Sequence, residues 1–243
     1  MKKIEFTDKN GTFRIHNPEN YSGLYLPLAG ETGLKSSITP NLGGDSKTDQ
    51  NHFLLEPVSI ENLHNNRNTR NFWCRIENKG SWSVCGSSAK QEAAKFTKDQ
   101  DESILEAGFM WQKLTRISRE YEMKAETTSF VTIDGTMEVM MTELTNTADQ
   151  EQKITPVAVI PLYGRSADNI RDHRHVTSLL HRIETKTYGV EVCPVLSFDE
   201  RGHQKNQTVY FVYGSTGEGE ARETVQEIFT RLSICLSGKG EVT

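Results

Sequence analysis

Alternation of apolar and polar residues with a period of two is what most restricts this chain. From Ile117 to Glu126, Ile117, Tyr121, Met123 and Ala125 fall on one side and Ser118, Glu120, Glu122, Lys124 and Glu126 on the other. Such a period sends successive side chains to opposite faces of a sheet, one dry and one wet. The pattern recurs in Val190, Val192, Pro194, Leu196 and Phe198, in Val209, Phe211 and Tyr213, and in Leu105, Ala107, Phe109 and Trp111. Asp134-Gly135, between Phe130–Ile133 and Met137–Met141, predicts a two-residue hairpin, because a type I′ turn needs positive φ at both central positions. The expected strands lie near 105–115, 117–133, 137–147, 152–162, 188–198 and 208–213, a largely antiparallel, all-β series.

Helical signals are few. Ala221, Val225, Ile228, Phe229 and Leu232 fall on one face of an amphipathic helix. Thr177–Ile183 fits either a short helix or a strand. Residues 29–52 combine glycines with many small polar groups, which reads as a long ordered loop or binding rim rather than core. A chain of 243 residues holds one large all-β domain, expected here as two stacked antiparallel sheets over 1–214 with a short helical tail over 215–243.

Composition narrows the function. The longest apolar run, Val157–Leu162, is strand-sized and far short of the roughly 20 residues of a membrane helix, in keeping with a mean hydropathy of −0.59. Twenty-eight basic against 33 acidic residues give a net charge of −5, where a nucleic-acid binder shows a basic excess to offset phosphate. Lys2 and Lys3 are followed by Glu5 and Asp8 instead of the apolar segment of a signal peptide. Cys74, Cys85, Cys193 and Cys235 have no CxxC spacing, so free thiols in a reducing cytoplasm are expected.

Four clusters could carry chemistry. In Asp172-His173-Arg174-His175, with His181 beyond, a strand would aim His173 and His175 the same way, as in a His-x-His metal pair. Arg171 and Arg174 would repel a dication, and no metal is assigned. Arg165-Ser166-Ala167-Asp168 with Arg171-Asp172 offers forked hydrogen bonding to sugar hydroxyls or to a partner's carboxylates. Structural ion pairing is the other reading, and on a surface such pairs contribute only about 0–1 kcal/mol. Gly214–Glu220 resembles a phosphate turn but lacks the Gly-Lys-Ser/Thr element, and Glu218 and Glu220 oppose an anion, so a surface turn is expected. Phe72-Trp73 and Trp82, near Arg67 and Arg70, fit either a stacking surface or sheet core. Core is the expectation for Trp73. No Ser/His/Asp or Cys/His set stands out, and no catalytic residue or cofactor is assigned.

Several longer stretches resemble one family. They are Leu26-Pro-Leu-Ala-Gly-Glu-Thr-Gly-Leu-Lys-Ser-Ser-Ile-Thr-Pro40, Gly44-Asp-Ser-Lys-Thr-Asp-Gln-Asn51, Phe53-Leu-Leu55 and Arg70-Asn-Phe-Trp73, then the run from Tyr163 through Arg165 and His181 to Ile183, and Ser197–His203. Together they are similar to the N-terminal part of glycoside phosphorylases related to cellobiose phosphorylase and 1,2-β-oligoglucan phosphorylase (glycoside hydrolase family 94), over roughly residues 12–213. The resemblance implies a β-supersandwich of the galactose-mutarotase-like kind. It also implies inverting phosphorolysis of a β-glucoside to a sugar 1-phosphate, in which a carboxylic acid protonates the leaving oxygen while phosphate attacks from the other face. In that family the acid and phosphate site belong to a following (α/α)6 barrel. A barrel of about twelve helices needs roughly 300 residues or more, beyond what this chain holds, and past Gly214 the resemblance stops.

The expectation is therefore a non-catalytic N-terminal module whose loops 41–52 and 163–175 reach a sugar. Its candidate carbohydrate-binding residues are Asp45, Lys47, Asp49, Gln50, Arg165, Asp172, His173 and Arg174. The implied partners are a β-gluco-oligosaccharide, an (α/α)6 barrel domain and a second copy of the chain, with no nucleic acid or membrane. A stand-alone carbohydrate-binding module and a purely structural dimerisation domain are the rival readings.

Overall fold

The structure, a computed structural model, describes residues 4–21, 23–58, 70–134, 137–166, 181–199, 202–217 and 223–224. Strands β1 (Glu5–Phe6) and β2 (Phe13–His16) are followed by a 3-10 turn at Pro18–Asn20, then β3 (Leu26–Ala29), β4 (Lys35–Ile38), β5 (Gly44–Asp49) and β6 (His52–Leu55). Next come β7 (Asn71–Ile76), β8 (Gly80–Ser83) and the short helix α1 (Ala89–Ala94). The longest strands follow: β9 (Glu102–Gly108), β10 (Trp111–Ser118), β11 (Met123–Val131) and β12 (Glu138–Asn146), then β13 (Ile154–Val159). The remainder is β14 (His181–Lys186), β15 (Gly189–Pro194), β16 (Leu196–Asp199), β17 (Gly202–Lys205), β18 (Tyr210–Tyr213), β19 (Ser215–Thr216) and β20 (Glu223–Thr224). The protein is all-β, its sheets antiparallel. It forms two compact units, residues 1–48 with 58–159, and residues 49–57 with 160–243.

The first unit is a sandwich. One layer is a six-stranded sheet in the order β1-β2-β9-β10-β11-β12. Leu114 and Val131 on its inner face pack with Leu28, Leu34, Ile38, Leu42 and Cys85. Met123 and Ala125 pack with Cys74, Ile76, Trp82 and Val84. The strands β3-β4-β5 and the sheet β13-β7-β8 thus supply the opposing side. Each fully buried Leu, Ile or Phe contributes about 1.5–3 kcal/mol relative to exposure. Pro27 and Pro156 sit on the edge strands β3 and β13, where a missing N–H breaks no central ladder. Trp73 and Trp82 are both buried, so Trp73 is core as expected and offers no open face to a ligand.

Two expected strands are hairpins instead. The 105–115 tract folds back at Phe109-Met110, pairing Gly108 with Trp111, and the 117–133 tract begins only at Met123, after a turn at Arg119–Glu122. Each turn pairs an odd with an even residue, which reverses the parity of the inward positions. Leu105 and Ala107 face inward on β9, Gln112, Leu114, Arg116 and Ser118 on β10, and Met123 and Ala125 on β11. Ile117 therefore points away from the face that buries Met123, and Phe109 is exposed at a turn tip. The β11–β12 hairpin forms as expected, with Val131 opposite Glu138 and Thr132 N bonding to Met137 O at 3.0 Å, while Gly135 of the expected two-residue turn lies outside the described residues.

The 29–52 segment is also corrected: it carries strands β4, β5 and β6, not a loop, and buries Leu34, Ile38 and Leu42. Its strands are built from small polar residues whose pairing is backbone-driven, reinforced where the Ser36 hydroxyl donates to Asp45 O at 2.7 Å. A tight turn joins β4 to β5, with Thr39 N on Gly43 O at 3.0 Å and Leu42 N on Thr39 O at 2.9 Å. Helix α1 lies outside every sequence expectation. Its start is nevertheless written as a capping box, Ser88 Oγ accepting from Gln91 N at 3.1 Å and the Gln91 side chain accepting from Ser88 N at 3.3 Å.

Two buried ion pairs span the first unit. Arg116 Nη1 meets Glu19 Oε1 at 3.1 Å, with side chains 2% and 4% exposed. Burial alone would raise the Glu19 carboxyl, but the Arg116 charge and the Ser103 hydroxyl at 2.5 Å outweigh it and hold it below its ordinary value. Arg70 pairs with Glu138 and also donates to Leu42 O and Gly43 O, both at 3.3 Å, pinning the β4–β5 turn.

The second unit contains the sheet β14-β15-β18 and the pairs β16-β17 and β19-β20. His181–Ile183 form the start of β14, so the described part of the ambiguous 177–183 tract is strand. Within the expected helix from Ala221 to Leu232, Glu223–Thr224 pair with Ser215–Thr216 as strands. The rest of that expectation lies outside the described residues.

Candidate functional site

Asp49 ends β5, and its side chain organises the turn into β6. Its Oδ1 accepts from Asn51 N at 2.7 Å, an Asx-type closure. His52 Nδ1 stands 2.9 Å from both carboxylate oxygens. Partial burial would raise the Asp49 carboxyl, yet the Asn51 N–H and the His52 contact prevail and keep it below its usual range. The carboxylate is thus fixed as an anion while 54% of the side chain stays exposed. Gln50, beside it, is exposed too.

Tyr163–Ser166 run along β6. Tyr163 N donates to Leu54 O at 2.8 Å, Phe53 N to Arg165 O at 2.9 Å and Arg165 N to Phe53 O at 3.4 Å. The Tyr163 hydroxyl closes the segment on Ser166 O at 3.1 Å. Against this backbone the Arg165 guanidinium lies 5.2 Å from the Tyr163 ring centroid, and its Nε donates to His181 Nε2 at 3.1 Å. A histidine that accepts from a cation must be neutral at that nitrogen, which leaves the proton on Nδ1. Gly164 has φ +61, and a Cβ there would stand 3.1 Å from the Tyr210 ring, so glycine lets that ring close onto the segment. Burial and the nearby Asp49 carboxylate push the Tyr210 phenol up to about 12. The Asp49 turn and the Arg165 segment are accordingly neighbours of one buried tyrosine in the second unit.

Burial, and then the Arg165 charge, lower His181 from 6.5 to about 4. The sign is that of a group kept neutral by folding: its contribution is whole above the unfolded value near 6.5 and disappears as pH falls toward 4. Following the His181 ring signals by NMR should show a midpoint near pH 4, and Arg165→Met should move it upward. A wild-type midpoint near 6.5 would contradict the contact.

The other expected residues separate. Asp45 and Lys47 belong to the first unit, where Asp45 is only 3% exposed, its Oδ2 accepting from Val58 N at 3.1 Å and lying 3.5 Å from Lys47 Nζ. Asp45 is therefore a buried strand residue and not the loop carboxylate that the 41–52 reading expected. Asp172, His173 and Arg174 lie outside the described residues, as does His175. His181, which follows the His173–His175 pair in sequence, has its Nε2 committed to Arg165. Sequence reasoning missed His52, Tyr163 and Tyr210 as members of the cluster. A signal existed for the first two, His52 three residues beyond a turn aspartate and Tyr163 in Tyr-Gly-Arg, but Tyr210 comes from a distant strand.

No family model and no curated protein matches the sequence. Among the described residues no helix is long and apolar enough to cross a membrane.

Proposed function

We propose that the chain is the non-catalytic β-sandwich module of a glycoside phosphorylase-like protein of the cytoplasm, which uses its second unit to hold a β-gluco-oligosaccharide. The antiparallel all-β architecture supports this reading, as do buried cysteines such as Cys74 and Cys85, whose thiols burial pushes up to about 12. The observation that carries it is the pair of pre-set forks around Tyr210: an exposed Asp49 carboxylate fixed by His52, and an Arg165 guanidinium fixed by His181 and Tyr163. Sugar hydroxyls pair with such planar carboxylates and guanidinia. Hydrogen bonds to charged groups contribute about 1.5–3 kcal/mol each.

Titration calorimetry with cello- and 1,2-β-gluco-oligosaccharides tests it. Saturable binding is expected, weakened about tenfold or more by Asp49→Ala and by Arg165→Ala, tenfold being about 1.4 kcal/mol. An absence of saturable heat at millimolar sugar, or binding unaltered in both variants, sinks the site. Turnover of a β-glucoside with phosphate by the purified chain sinks the non-catalytic assignment.

A further inference from the structure

One face of the sheet β14-β15-β18 buries Val192 and Tyr210; the register places Arg182, Glu184, Lys186, Glu191, Phe211 and Tyr213 on the other. Three rings stand open there: Phe211 is 53% exposed, Tyr213 45% and Tyr188, in the β14–β15 turn, 44%. They are ordered against one another. Phe211 and Tyr213 stack at 4.5 Å with 30° between planes, and Tyr188 meets Tyr213 edge-on at 4.6 Å. A Cβ at Gly189 would stand 2.1 Å from the Val212 carbonyl oxygen and 2.6 Å from Tyr213 Cδ1, so glycine here admits both the paired β18 backbone and the Tyr213 ring. At the edge of the rings the Tyr213 hydroxyl donates to Glu191, and Lys186 Nζ lies 3.4 Å from Glu191 and 2.6 Å from Glu184.

We propose that this face is a second saccharide-binding surface, on which Phe211 and Tyr213 stack against the C–H face of a pyranose while Glu191, Lys186 and the Tyr213 hydroxyl bond its hydroxyl groups. Isolated exposed aromatics are ordinary, but a mutually braced set edged by fixed donors and acceptors matches a ligand that is apolar on one face and polar around its rim. Charge selects among ligands with a stacking face. Single-stranded nucleic acid also stacks on sheet aromatics, but it requires a basic track for its phosphates. Here Arg182 and Lys186 are cancelled by Glu184 and Glu191, which favours an uncharged ligand. The surface does not depend on the Asp49 and Arg165 site.

The experiment is affinity electrophoresis and calorimetry with cellohexaose and soluble β-glucan, using wild type, Phe211→Ala, Tyr188→Ala and Arg165→Ala. Phe211→Ala is expected to weaken the binding at this surface at least tenfold and Tyr188→Ala severalfold while leaving the Arg165-dependent binding in place, with thermal midpoints unchanged because both rings are half exposed. Glu191→Gln, which keeps the shape and removes the charge, is expected to weaken it as well. Loss in Arg165→Ala with Phe211→Ala unaffected overturns this surface and leaves the loop site standing; loss in Phe211→Ala alone does the reverse. Failure of wild type to bind either probe overturns both. Retention of oligo(dT), or dimerisation at rising concentration, that Phe211→Ala abolishes without any sugar binding also overturns the proposal.

Discussion

Arg116→Met is expected to lower the unfolding free energy of the first unit by about 3–5 kcal/mol, since removing one member of a buried pair strands the other charge. The guanidinium holds Glu19 at 3.1 Å, Val84 O at 3.1 Å and Cys85 O at 3.5 Å. Without it a nearly inaccessible carboxylate loses its counter-charge and two carbonyls lose a donor. Urea denaturation gives the measurement, and the informative companion is Arg116→Met with Glu19→Leu. Hydrophobic replacement of an entire buried pair is often close to neutral, so the double variant should be more stable than Arg116→Met alone. A double variant that loses the sum of both single effects would show that Arg116 and Glu19 do not stabilise one another, against this account of the interior.

Gly44→Ala is the second large effect. Gly44 has φ +113, and its Cβ would fall 1.7 Å from the carbonyl oxygen of Ser37 on the paired strand. The unfavourable backbone region costs about 1–3 kcal/mol, and separating the strands adds the loss of a backbone hydrogen bond of about 1 kcal/mol. Gly11→Ala isolates the first contribution, because Gly11 has φ +91 but nothing within 4 Å of the added carbon. Thermal melts should place Gly44→Ala well below Gly11→Ala. Equal losses would mean that strain alone acts and the close approach does not matter.

The alternating tracts disclosed the class of fold, because period two survives in any sheet that buries one side. They failed at the turns. Phe109-Met110 and Arg119–Glu122 carry no glycine or proline, and the apolar count ran on through them in an unbroken rhythm although the inward parity had switched. Polar residues deepened the error: Gln112, Arg116 and Ser118 occupy inward positions of β10, and the partner that makes Arg116 tolerable, Glu19, comes from a remote segment. The β4 and β5 strands were illegible for a related reason. Lys-Ser-Ser-Ile and Gly-Asp-Ser-Lys-Thr-Asp have no apolar rhythm, and what makes them strands is the sheet they join. Of the candidate site, Arg165 was readable as a forked polar group and Asp49 as a polar residue of the 41–52 loop, whereas the tyrosine they flank and the contact of His181 with Arg165 arrive only with the fold. The stacked face was visible as Val209, Phe211 and Tyr213, but the pattern alone could not say which side faces water.

The pairing of β2 with β9, Phe13 opposite Ala107, has a consequence for vectorial synthesis. A ribosome releases Phe13–His16 long before Glu102–Gly108 exists, and chain growth of about 5–20 residues per second leaves the early strand waiting for seconds. The β9–β12 meander is local and can close as soon as it emerges, while β1 and β2 can only be added afterwards, like a late panel fitted to a frame already standing. During that interval the β2 edge that awaits β9 is the segment most open to chaperones or to mispairing with a neighbouring nascent chain.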